Sequence, residues 1–195
     1  FFDVSEGSIC IDGVDICEMD IKDLRSRLGY VPQKGVLFSG TIESNLRFGA
    51  REASMEELNK AADIAQASEF IAAKDDGMQS PIAQGGTNVS GGQKQRLSIA
   101  RAVAKRPEIY IFDDSFSALD YKTDAALRQA LKKETSEATT LIVAQRISTI
   151  LHADKIMVLD NGNVVGSGTH KELLKSCEVY QQIAKSQLSK EELEA

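Results

Sequence analysis

The spacing of apolar residues changes several times along this chain, and each change marks an element. A mostly apolar run over residues 8–11 is followed by a second short segment at Asp15-Ile16. Asp12-Gly13 lies between them, so the start reads as an antiparallel hairpin. A short helix over 21–26 leads into a strand over 28–31 that Pro32 ends, and Thr41 or Ser39 caps a short helix running to Leu46. From Ser54 the spacing becomes helical, with Met55, Leu58, Ala61, Ala62 and Ala65 on one face and a continuation over 69–73. A polar stretch over 75–88 reads as a loop, and a helix over 91–104 is broken at Pro107. Four apolar residues at 109–112 read as a buried parallel strand. A helix over 122–135 and a second apolar strand over 139–144 follow. Strands over 155–159 and 164–166 flank Asp160-Asn161-Gly162-Asn163, a hairpin signal, and a helical tail begins at His170 and frays over 189–195.

The 195 residues suit one large domain, or a core with an inserted subdomain. The 42% hydrophobic and 27% charged residues are ordinary for a globular protein, and no run reaches the roughly 18 apolar residues that would span a membrane. With a net charge of −6 and no dense Lys/Arg cluster, the chain lacks the footprint of a nucleic-acid binder. Cys10, Cys17 and Cys177 are odd in number, widely spaced and without nearby His, which favours reduced thiols over a metal site.

The candidate chemistry lies between residues 88 and 114. In Asn88-Val89-Ser90-Gly91-Gly92-Gln93 the Ser and Gln stand three apart in capping-box form, so first-turn amides gather at one helix end. That end favours anions, and Gly91 and Gly92 let a phosphate approach the backbone. Asp113 and Asp114 close the apolar strand, at the edge where α/β sheets bind ligands.

Together these residues resemble the nucleotide-binding domain of ABC transporters, whose fold is the α/β P-loop NTPase type. Residues 89–93 are similar to the family's signature motif and 109–114 to its Walker B strand. Ser117-Ala118-Leu119-Asp120 is similar to its D-loop, and Val31-Pro32-Gln33 to its Q-loop. The resemblance implies ATP and Mg²⁺ as ligands. Asp113 and Gln33 would serve the metal and the γ-phosphate of this domain's own site. Ser90, Gly91, Gly92 and Gln93, with Asp120, would serve nucleotide on a facing domain. A second nucleotide-binding domain is therefore an implied partner.

Two positions depart from the family pattern. The residue after the Walker B Asp is usually Glu, which orients or deprotonates the attacking water; here it is Asp114. The switch residue is usually His; here it is Gln145. Asp retracts the carboxylate by one methylene, about 1.5 Å, and a misplacement of about 1 Å can cost ~10²-fold in rate. Gln offers no ring nitrogen of intermediate basicity. Both changes fall on one site, while the signature and D-loop, which serve the opposite site, are intact. The expectation is the degenerate half of a heterodimer, with a homodimer tolerating both substitutions as the alternative.

Residues 37–42 with Asn45-Leu46-Arg47 resemble the exporter form of the segment after the Q-loop. Residues 82–86 occupy the position of the loop that touches the membrane domain, with Gln84 where Glu is usual. The resemblance thus implies an exporter at the cytoplasmic face of the cell membrane, its transmembrane domain fused upstream. A soluble ABC ATPase acting on nucleic acid or ribosomes, and a non-hydrolysing regulatory module, are the rivals. The expected division is a partial ATP-binding domain over 1–195, with core portions at 1–41 and 105–195 and a helical subdomain over 42–104. No Gly-x-x-x-x-Gly-Lys-Ser/Thr loop occurs in the chain. In the family it would lie before Phe1, so this chain in isolation is expected to bind ATP weakly or not at all.

Overall fold

The computed structural model describes residues 4–189, divided between two compact units, Phe1–Leu141 and Ile142–Ala195. In the first unit β1 (Cys10–Ile11) and β2 (Val14–Asp15) form the expected hairpin, and Asp12 and Gly13 both turn through positive φ, 50° and 82°. Asp20 caps α1 (Ile21–Arg27) by accepting from the Lys22 and Asp23 amides, and the chain turns directly into β3 (Leu28–Val31). After β4 (Gly40–Thr41), the Thr41 hydroxyl accepts from the Ser44 amide and opens α2 (Ile42–Arg47).

Ser54 and Glu57 cap α3 (Met55–Ile64) reciprocally, and α4 (Ser68–Ala72) follows. Leu58, Ala61 and Ala62 are buried as their spacing predicts, but Met55 is 39% exposed: it stands at the first position of the helix, beyond the packed face. The 75–88 stretch is more ordered than its polar composition suggests. It holds a one-turn 3-10 helix at Gly77–Gln79 and a tight turn at Gln84–Gly86, where Gly85 and Gly86 take φ of 68° and 67°, and between them β5 (Pro81–Ile82) pairs with β4. The Gly85 amide also donates to the Leu37 carbonyl at 3.1 Å.

Helix α5 (Gly91–Ala104) packs against both α2 and α3. It is the interior helix of the unit, burying Leu97, Ile99, Ala100 and Val103 as well as the polar Gln95 and Ser98. Strand β6 (Ile109–Asp113) runs parallel to β3, in register from Leu28 opposite Ile109 to Val31 opposite Phe112. Its Tyr110 and Phe112 are buried and its Ile109 and Ile111 only half-buried, so the strand has one covered face rather than two. Asp120 caps α6 (Tyr121–Glu134), and β7 (Thr139–Val143) completes a sheet in the order β3-β6-β7. As the outer strand, β7 leaves the apolar Leu141 and Val143 exposed.

The second unit contains α7 (Ile147–Ile150), the hairpin β8 (Ile156–Asp160) and β9 (Asn163–Gly168), then α8 (His170–Ser176) and α9 (Glu178–Gln187). Its core joins Ile147, Ile156, Val158, Leu173, Tyr180 and Ala184, with the Cys177 thiol buried among them. Asn161 and Gly162 make the turn at φ 47° and 80°. Of the tail expected to fray, 190–195 lie outside the described residues.

His170 is buried in this unit with its Nδ1 2.7 Å from the Tyr180 hydroxyl. Burial, then the nearby charges of Lys171 and His152, hold its pKa below the usual value. The folded state thus takes up the proton less readily than the unfolded chain. The stability contributed by neutral His170 is fully present above about pH 6.5 and is lost as the pH falls. Melting temperature should therefore drop between pH 7 and pH 5, and less steeply in His170→Gln. Equal slopes in the two proteins would refute the assignment.

Candidate functional site

The expected site residues of the first unit fall into two groups. The first stands at the carboxyl end of the parallel strands. Asp113 is the last residue of β6, and its Oδ2 accepts from the Tyr30 hydroxyl of the adjacent β3 at 3.1 Å. Asp114 turns the chain out of the strand at φ 44°, a left-handed conformation that Asp tolerates better than most residues. Its Oδ2 accepts from Gln33 Nε2 at 3.1 Å. Below them the buried Ser115 hydroxyl donates to the Val31 carbonyl at 2.9 Å and ties the two strand ends together. Gln33, Asp113 and Asp114 are thus brought together across 81 positions of sequence. Tyr30 was missed: its position on an apolar strand carries no polar signal, and only the parallel register puts it beside Asp113. Burial, followed by its hydrogen bond to Asp113, raises the Tyr30 pKa, so the phenol stays a proton donor.

The second group stands at the start of α5. The Ser90 hydroxyl accepts from the Gln93 amide at 3.2 Å, and Gln93 Oε1 accepts from the Ser90 amide at 3.0 Å, the reciprocal box that the spacing predicts. A Cβ on Gly91 would meet nothing within 4 Å, so the helix end is open to an approaching anion. Gly92 faces the other way, with the Ala118 carbonyl 3.4 Å from where its Cβ would lie. The signature turn and the D-loop are therefore neighbours. Asp120 accepts from the Thr123 amide at 3.0 Å and its hydroxyl at 2.7 Å. These bonds hold the carboxyl below the usual Asp range.

In the second unit the Gln145 carbonyl accepts from Gln187 Nε2 at 2.9 Å, and the Ile147 amide donates to Gln187 Oε1 at 2.8 Å. One side chain at the end of α9 thus brackets the backbone of the expected switch segment. That bracket was invisible in the sequence, because 42 positions separate its partners.

The first group suits Mg²⁺ in kind. Its donors are hard carboxylate and amide oxygens, and Mg²⁺ commonly keeps water and takes one or two carboxylates together with substrate phosphates. Among the described residues no group of three or more His, Cys, Asp or Glu converges as a self-sufficient metal cage. Nor is any described helix long and apolar enough to cross a membrane.

Residues 1–117 match the family described as ABC transporter. The chain belongs to the ABC transporter family. It is 47% identical over 189 residues to an uncharacterized ABC transporter ATP-binding protein of Mycobacterium bovis, covering 95% of this chain and 32% of that protein. It is 43% identical over 189 residues to the ATP-dependent lipid A-core flippase of Francisella tularensis, covering 96% of this chain and 31% of the flippase. Among solved structures it is similar to that of a bacterial Atm1-family ABC exporter with ATP bound, with a TM-score of 0.92 and 39% identity over 95% of this chain and 33% of that one. The α/β fold is therefore that of an ABC ATPase domain, as the motifs implied. The chain spans about a third of the length of the relatives it matches.

Proposed function

We propose that this chain is the ATP-binding and ATP-hydrolysing part of an ABC exporter, and that its own nucleotide site is the slow half of a heterodimeric pair. The observation that carries the reading is the grouping of Gln33, Asp113 and Asp114 at one sheet edge, apart from an open, capped Ser90 end that can serve a facing domain. Bound Mg²⁺ and ATP would supply a phosphoanhydride with its charge partly neutralised. Asp113 would hold metal-bound water, oriented by the Tyr30 hydroxyl. Gln33 would present an amide to the γ-phosphate or the metal. The Ser90 hydroxyl and the Gly91 and Gly92 amides would donate to phosphate held on the facing domain, with Gln93 closing the cap that orients them and Asp120 fixing the D-loop between the two sites.

Asp114 would be the water-activating carboxylate and Gln145 the switch residue, both in weakened form. The Asp114 side chain is one methylene shorter than Glu, and its Oδ2 accepts from Gln33 Nε2. The heterodimer reading is supported by both weakened positions serving one site while the signature cap is complete. A homodimer with tolerated substitutions is the second reading, supported by the intact carboxylate at Asp114.

The partners proposed are a second nucleotide-binding domain, a different chain in the heterodimer, and a transmembrane domain on the same polypeptide. On this reading the domain would lie at the cytoplasmic face of the cell membrane. Residues 42–104 would form the helical subdomain, with 1–41 and 105–195 as core. The names of the relatives and the charge of −6 favour export over an ATPase working on nucleic acid.

The test is gain of function at this chain's site. In the full-length pair, Asp114→Glu with Gln145→His should raise hydrolysis of nucleotide trapped on this chain by about tenfold or more. Glu is less at ease than Asp at φ 44°, so the variant should also lose stability through backbone strain on the order of 1 kcal/mol. No gain at all in a single-site trapping assay would refute the degenerate-site reading.

A further inference from the structure

The loop over 32–39 carries Gln33 but has no regular secondary structure, so something outside the loop must fix its path. That role falls to Gln95, which stands one turn inside α5 and is 2% exposed. Its Oε1 accepts from the Gly35 amide at 2.8 Å, and its Nε2 donates to the Pro32 carbonyl at 3.1 Å. Both bonds go to backbone and they bracket Gln33 and Lys34 on either side. The contact is tight. A Cβ on Gly35 would lie 2.8 Å from the Ser98 hydroxyl, 2.9 Å from the Lys94 carbonyl and 3.1 Å from Gln95 Oε1. The Ser98 hydroxyl is itself buried there without a hydrogen-bond partner. An apolar residue of the same length would fill this space equally well. What Gln95 adds is direction: both ends of its amide are spent on the loop and none on the helix that carries it. Five residues upstream, the same helix begins at the Ser90 cap.

We propose that Gln95 is a positioning residue that locks the Gln33 loop to the signature helix, so that the ligand of this chain's own nucleotide and the donor to the facing domain's nucleotide are held as one rigid piece. The proposal rests on the nucleotide-site reading above. Gln95 touches no reacting atom; it acts by fixing where Gln33 can reach.

The experiment uses the full-length transporter with its partner and follows retention of radiolabelled ATP on this chain, together with melting temperature. Gln33→Ala and Gln95→Met should each shorten the half-time of retention by about fivefold, the worth of one hydrogen bond to a positioned group. The double variant should be no shorter than either single one, because both act through one contact. Where Gln95→Met does not fold, Gln95→Glu keeps the acceptor for Gly35 and loses the donor to Pro32, and the same non-additivity is expected. Wild-type retention in a folded Gln95 variant overturns the proposal. So does a shortening that multiplies with that of Gln33→Ala, which would mark a general loss of packing. A wild-type transporter that retains no label on this chain, or a Gln33→Ala variant that retains it normally, overturns the nucleotide-site reading and the coupling with it.

Discussion

In the full-length transporter with its partner, Ser90→Ala is expected to cut steady-state ATP turnover by about a hundredfold, while Asp114→Ala leaves it largely intact. The asymmetry follows from where each side chain works. Ser90 stands at an open helix end where Gly91 has nothing within 4 Å of its Cβ direction, so on the proposed reading its hydroxyl and the Gly91 and Gly92 amides would meet the phosphate brought by another domain. Asp114 belongs to the group around Gln33 and, on the proposed reading, would serve this chain's own, slower site. Ser90 also caps α5, and losing a cap costs about 1 kcal/mol, so a structural explanation for the Ala result has to be separated. Ser90→Asp does this. An Asp retains the acceptor that holds the Gln93 amide but brings negative charge to the phosphate, so it should keep the melting temperature and still abolish turnover. If Asp114→Ala abolishes turnover as fully as Ser90→Ala, Asp114 is a working catalytic residue and the homodimer reading takes over.

Arg101→Ala is expected to destabilise the fold by about 3 kcal/mol, among the larger effects open to a single substitution here. Arg101 projects from α5 and ties it to two other segments. Its Nε donates to the Asn45 carbonyl at 2.9 Å, its Nη2 to Asn45 Oδ1 at 2.9 Å and its Nη1 to the Val36 carbonyl at 3.0 Å. The guanidinium also lies 5.3 Å from the centre of the Phe38 ring and 5.8 Å from that of Phe48, within reach of both faces. Burial lowers its pKa, though not far enough to neutralise an Arg. Asn45, 1% exposed, is the centre of this arrangement, because it also donates to the Phe38 and Thr41 carbonyls at 2.9 and 3.0 Å. Removing the guanidinium leaves the buried carbonyl of Asn45 short of a donor. Arg101→Lys should recover less than half of the loss, since an ammonium cannot match a fork of three fixed N–H directions. Denaturant unfolding of the two variants measures both, and a loss below about 1 kcal/mol for the Ala variant would show that the network carries little stability.

The parts of the site legible in the sequence are those whose partners are close along the chain. The Ser90–Gln93 box spans three positions, and the hairpins at 12–13 and 161–162 two each. Each is fixed by backbone geometry that a short peptide already feels. The resemblance to the ABC family also rested on such short runs, and the matched relatives uphold it at 47% and 43% identity. Two segments singled out separately as exporter-like, 37–47 and 82–86, turn out to be physically joined. Gly40 pairs with Ile82 and Thr41 with Pro81 in a two-residue ladder. Nothing in their composition signals it, because strands this short leave no alternation to detect.

For this protein the sequence by itself determined the helix starts, the hairpin turns, the strand that ends in Asp113 and the family to which the chain belongs. Its hydrophobic spacing also fixed which face of α3 is buried from Leu58 onward. The tertiary structure alone decided which distant polar groups meet. Tyr30 reaches Asp113 across 83 positions, Gln95 reaches the Gln33 loop across 60 and 63, and Gln187 reaches the Gln145 segment across 42. The physical reason is the same in all three. A hydrogen bond needs its partners within about 3 Å and correctly aimed, and for residues far apart in the chain those positions are set by strand register and helix packing rather than by local preference.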